Sequence, residues 1–163
     1  MSIQTRNIDV ELLEESIIIL LADDDVDDCM FFTNALNEIS GTYTLIIKVD
    51  GEAVMNYLNS NTILPDIIFL DMNMPCKNGF ECLVEIKQNE RLKSIPVIII
   101  STSLESILIN ALHQNGAYFY IRKPNLFAQL KSLIFNVINA IKKTGAVKPS
   151  IEDFVITVEN IKS

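Results

Sequence analysis

Carboxylates placed straight after apolar runs are the first residues in this chain that could do chemistry. Asp23, Asp24 and Asp25 follow Ile17–Ala22, and Asp71 follows Ile67-Ile68-Phe69-Leu70. Ser101 and Thr102 close the run Val97–Ile100, and Lys123 stands two residues beyond Ile121. Brought together, Asp23, Asp24 and Asp71 repel one another strongly at low effective dielectric, so their pKa values rise or a cation sits among them. Oxygen ligands with no His or Cys nearby select a hard ion, and Mg²⁺ is the usual one where phosphate chemistry is involved. A carboxylate can then take a phosphoryl group as an acyl phosphate, once metal and cationic donors neutralise the transferring oxygens. Asp71, held by its strand, is the candidate nucleophile. Ser101 offers a hydroxyl to a phosphoryl oxygen and Lys123 a compact ammonium. A cis Lys123-Pro124 bond would aim that lysine inward.

Each of these residues also has an ordinary reading. Asp23 to Asp28 could be a solvated helix start facing the positive end of the helix dipole. That reading suits Asp25, Asp27 and Asp28, one of which should cap the helix. Asp71 and Ser101 alone could be strand-end turn residues, and Lys123 a surface lysine. Their shared position at strand ends favours a site for Asp23, Asp24 and Asp71.

The elements that must position them can be read from periodicity. Ile17–Ala22, Leu45–Val49, Ile67–Leu70, Val97–Ile100 and Tyr118–Ile121 are short apolar runs of the kind a strand buried on both faces requires. Between and after them, Asp27–Ile39, Glu52–Leu58, Phe80–Asn89, Leu104–Gln114 and Leu126–Ile141 carry apolar residues at helical spacing. Five-fold alternation predicts an α/β domain: a five-stranded parallel sheet with helices on both faces, joined by right-handed crossovers. Asp50-Gly51 and Asn78-Gly79 mark turns before helices, Asn115-Gly116 a helix end, and Pro65 and Pro96 precede strands. In such sheets the ligand crevice lies at the carboxyl ends of the strands, where the acids, hydroxyls and lysine fall.

With these residues in view, the chain resembles response-regulator receiver domains of the chemotaxis-regulator type from about Ser16 to Lys142. The resemblance rests on IIILLADDD, DIIFLDMNMPCKNGFE, IPVIIISTS and GAYFYIRKP, in the family's order. It implies a flavodoxin-like (βα)5 fold, with Asp71 as the phosphorylated aspartate. Asp24 and Asp71 would ligate Mg²⁺, joined by the Asn73 backbone carbonyl and by Asp23 through water. Ser101 would be the hydroxyl switch, with Thr102 beside it at the phosphoryl site, and Lys123 the phosphoryl-binding lysine. Tyr120 falls at the aromatic that turns from exposed to buried as Ser101 moves inward. Asn73 and Ser103 occupy positions that tune acyl-phosphate lifetime. Many receivers have Ala or Gly where Thr102 stands, and a Thr narrows access to the phosphoryl group. The implied donor is a sensor histidine kinase or phosphotransfer protein, and the implied output is altered contact with a downstream protein.

Bulk composition sets the remaining expectations. The 163 residues, 49% of them hydrophobic, suit one domain with a buried core. A net charge of −8 argues against a nucleic-acid surface, which needs clustered Lys and Arg. No apolar run approaches the roughly 20 residues that cross a bilayer. Three cysteines without metal spacing, and no secretory leader, fit a reducing cytoplasm. The expected organisation is an extension over 1–15, the receiver over 16–143, and a 144–163 extension with no separate output domain. Within that last segment Ile151 to Ile161 fits both a strand and a helix period, and it could fold back or join two chains as a homodimer. His113 is expected on the surface of the fourth helix, and Cys76 in an exposed loop. A dehalogenase-like phosphohydrolase would need a second acid two residues beyond its nucleophile, where Asn73 stands. A degenerate receiver would lack one of the five key residues, all of which are present.

Overall fold

The computed structural model describes residues 16–145 and 147–161; the expected 1–15 extension lies outside them. β1 (Ile17–Ala22), α1 (Val26–Asn37), β2 (Tyr43–Lys48), α2 (Gly51–Ser60), β3 (Ile67–Asp71), α3 (Gly79–Gln88), β4 (Val97–Ser101), α4 (Ser106–Gln114), β5 (Phe119–Arg122) and α5 (Phe127–Thr144) alternate as expected. All strands pair in parallel in the order β2-β1-β3-β4-β5-β6. The sixth strand was not expected. It is the two-residue β6 (Val155–Ile156), which follows a single-turn α6 (Ile151–Phe154) and precedes a 3₁₀ turn at Val158–Asn160. Of the arrangements open to the tail, folding back on its own domain is the one observed.

β3 and β4 are buried at every position because helices cover both their faces. Successive side chains on each strand therefore enter two different cores. Ile19, Leu21, Ile67, Phe69, Ile98, Ile100 and Ile121 pack with α1 and α5. Leu20, Ala22, Ile68, Leu70, Ile99 and Tyr120 pack with α2, α3, α4 and Phe154 of α6. β2 lies at the edge and has no fully buried position, so its start at Tyr43 is less apolar than the run expected from Leu45.

Helix starts follow the turn chemistry in the chain. Asp25 caps α1 by accepting from the Asp28 amide at 3.0 Å, and Asp50 caps α2 by accepting from Ala53 at 2.7 Å. Asn78 and Glu81 form a reciprocal capping box at α3. Gly79, the first residue of that helix, lies so close to β3 that an added Cβ would stand 2.6 Å from the Asp71 carbonyl oxygen. Only hydrogen fits there, which ties α3 tightly to the strand end that carries Asp71.

Candidate functional site

Alternation along the strands decides which residues meet. Asp23 continues the parity of Ile19 and Leu21, Asp71 that of Ile67 and Phe69, and Lys123 that of Ile121, so all three lean toward the side covered by α1 and α5. Asp23 and Asp71 are 4% and 6% exposed, burial that carboxylates tolerate only with partners. Lys123 supplies one. Its Nζ lies 3.3 Å from Asp23 Oδ2, 3.3 Å from Asp71 Oδ1 and 2.9 Å from Asp28 Oδ2. The Lys123-Pro124 bond is trans, so the lysine is turned inward by these acids and not by its peptide geometry.

Oxygen atoms of Asp23, exposed Asp24 and Asp71 all lie within 4.8 Å of one another. An all-carboxylate set of this spacing fits a hard divalent cation. The protonation chemistry agrees. Burial, reinforced by the Asp23 charge, pushes the Asp71 carboxyl up to about 6, although Lys123 and the Asn73 backbone N–H favour its ionised form. Asp23 is likewise raised, by burial first, against the opposing Asp25 amide, which donates to its Oδ1 at 2.9 Å. Burial works against the Lys123 charge, but Asp28, Asp71 and Asp23 outweigh it and hold the ammonium above the usual lysine range.

Ser101 ends β4 beside the Asp71 strand and is 2% exposed. Its Oγ accepts from the Ser103 amide at 3.2 Å, so the hydroxyl is anchored in the loop leading to α4. Thr102 and Asn73 are exposed at the crevice mouth. Tyr120 is fully buried, and its hydroxyl donates to the Ser103 carbonyl at 2.5 Å. A cavity of about 290 Å³ opens between α1 and the segment after β5, lined by Asp23, Asp28 and Lys123 on one side and by Phe31, Leu126 and Leu130 on another.

Sequence reasoning missed Asp28, which was assigned to a solvated helix start but turns from the first turn of α1 onto Lys123. Its signal was weak: one acid among several, with its partner 95 residues away. His113 is a correction. Expected at the surface, it is half-buried because the tail lies over it, with Nε2 3.0 Å from the Pro149 carbonyl and its ring edge-on to Phe154. Cys76 is exposed as expected and has φ of 64°, the single left-handed non-glycine residue among those described.

A parallel, doubly wound sheet with paired acids, a hydroxyl and a lysine at its carboxyl edge defines a receiver-type α/β domain. A family model for the response regulator receiver domain matches residues 19–135, and the chain belongs to that family of regulatory switches in phosphorelay signalling. Response regulator Rcp1 of Synechocystis is 34% identical over 122 residues, covering 72% of this chain and 83% of that protein. A probable methanogenesis regulatory protein, FilR2 of Methanothrix harundinacea, is 32% identical over 77% of this chain and 84% of its own. The crystal structure of Mn²⁺-bound Rcp1 matches with a TM-score of 0.71 at 31% identity, over 82% of this chain and 99% of that one. The phosphorylated cyanobacterial phytochrome response regulator RcpA matches with a TM-score of 0.73 at 31% identity, over 83% and 99%. Among the described residues no helix is long and apolar enough to cross a membrane.

Proposed function

We propose that this receiver is a phosphoacceptor switch in which an Asp71 carboxylate oxygen attacks phosphohistidine on a sensor histidine kinase or phosphotransfer protein. The new bond joins Asp71 oxygen to phosphorus, the nitrogen–phosphorus bond breaks, and the imidazole leaves. The observation that carries this reading is the placing of buried Asp71 within reach of both the Lys123 ammonium and the Asp23 and Asp24 carboxylates. Asp24, Asp71 and the Asn73 carbonyl would hold Mg²⁺, with Asp23 assisting through water. That ion would supply neutralising charge to the transferring oxygens. Lys123 and Ser101 receive the phosphoryl oxygens, while Thr102 crowds the entrance and Asn73 and Ser103 set how readily water reaches the acyl phosphate. Exposed Phe31 and Leu126 at the rim of the neighbouring cavity give a protein donor apolar surface to cover. Ser101 and Tyr120 carry the change outward to a downstream protein partner, and the chain acts in the cytoplasm without turning over a separate substrate.

The test is intact-mass measurement after incubation with acetyl phosphate and Mg²⁺. The native chain is expected to gain one phosphoryl group, and neither Asp71→Asn nor chelator-treated protein should gain it. Equal labelling of Asp71→Asn would remove Asp71 from the mechanism. Steady hydrolysis of unrelated phosphate esters would favour a phosphohydrolase instead.

A further inference from the structure

The segment beyond α5 runs back along the open edge of β5, and what it covers is Tyr120. Three contacts anchor it. The Lys148 ammonium donates to the His113 carbonyl at the C-terminal end of α4, where a cation also suits the helix dipole. His113 Nε2 meets the Pro149 carbonyl at 3.0 Å. Val155 and Ile156 pair in parallel with Tyr120 and Ile121.

Phe154 is the side chain this segment buries. It is 0% exposed, as is Tyr120, and the two rings lie 6.4 Å apart, with His113 edge-on to Phe154 at 4.9 Å. From Tyr120 the contacts continue inward. Its hydroxyl holds the Ser103 carbonyl, and the Ser103 amide holds the Ser101 hydroxyl. An unbroken series of contacts thus links the tail to the hydroxyl at the phosphoryl crevice. With β6 closing the strand edge and Phe154 packed beside the ring, Tyr120 has no wetted side.

We propose that residues 149–156 form an intramolecular clamp in which Phe154 is a positioning residue, holding Tyr120 inward and thereby holding Ser103 and Ser101 in place for phosphoryl binding. The clamp rests on the reading of Asp71 as phosphoacceptor. If the phosphoryl group also favours the inward Tyr120, tail and phosphoryl group strengthen each other by the same factor. The clamp is also an occupant of the β5 edge, so a partner that pairs with that edge must displace it.

The experiment uses the full chain labelled with 3-fluorotyrosine, with Tyr120→Phe identifying the Tyr120 fluorine signal, and beryllofluoride with saturating Mg²⁺ as the phosphoryl analogue. Phe154→Ala is expected to move that signal to a solvent-exposed position and to weaken beryllofluoride binding about fivefold or more. Phe154→Leu should restore most of the affinity. In the unaltered protein, beryllofluoride should slow hydrogen exchange in β6, a readout independent of how any variant folds. Unchanged affinity and a still-buried Tyr120 signal in Phe154→Ala would overturn the clamp, as would exchange at β6 indifferent to beryllofluoride. Failure of the native chain to bind the analogue would overturn the phosphoacceptor reading and the clamp with it. Native binding with an indifferent Phe154→Ala overturns the clamp alone.

Discussion

Asp71 is asked to be both buried and ionised, and the conflict has a measurable sign. Its carboxyl is raised from an ordinary 3.8 to about 6, so the folded chain binds this proton more tightly than the unfolded chain. The associated stability is present below about pH 4 and lost as pH rises through 6. A rise of that size corresponds to at most about 3 kcal/mol. Asp71→Asn removes the ionisation while keeping the shape, at the cost of one charge contact to Lys123. In chelator, that variant is expected to be about 1–2 kcal/mol more stable than the native chain near pH 7, with the gap closing by pH 4. Urea unfolding at both pH values checks it, and parallel pH profiles would show that burial does not strain Asp71. At this scale the sequence was legible where a residue ends a strand. Asp23, Asp24, Asp71, Ser101 and Lys123 were all placed by that rule. Asp28 and Phe154 were not, because their roles come from partners that only the folded chain brings near.

Among the elements, α3 has the tightest constraint on the site. A Cβ at Gly79 would sit 2.6 Å from the Asp71 carbonyl oxygen and 3.0 Å from Met72 Cα, and neither backbone atom can move without moving Asp71. Gly79→Ala is expected to cost about 1–3 kcal/mol and to slow acetyl-phosphate labelling of Asp71. A variant of native stability and labelling rate would mean that α3 can shift without disturbing β3. β3 and β4 were the most legible strands because a strand buried on both faces must be apolar, and each is apolar up to the polar residue that ends it. Their ends shifted by a residue or two, as at Asp71 and Ser101, where a polar side chain still continues the ladder. The pair α6 and β6 was not legible as two elements. Four helical residues followed by two extended ones satisfy both periods, and neither run is long enough to decide between them.

For the molecule as a whole, the sheet concentrates negative charge at one edge of an already acidic chain, with a net charge of −8, and Lys123 is the internal counter-charge. It joins the end of β1 through Asp23 and the helix that follows it, α1, through Asp28 to β3, distant in the chain, through Asp71. Removing one partner of a part-buried ion pair is costly because the others stay behind uncompensated. Lys123→Met, which keeps the stem and deletes the charge, is therefore expected to lose about 2 kcal/mol in chelator near neutral pH, the acids limiting the loss by taking up protons. A divalent cation and the ammonium compensate the same carboxylates, so each weakens the need for the other. Mg²⁺ should consequently raise the thermal midpoint of Lys123→Met by more than it raises that of the native chain, in proportion to the tighter binding. Thermal unfolding over a Mg²⁺ series measures both increments. An increment no larger in Lys123→Met would mean that lysine and metal occupy independent parts of the crevice, and that Lys123 serves the phosphoryl oxygens alone.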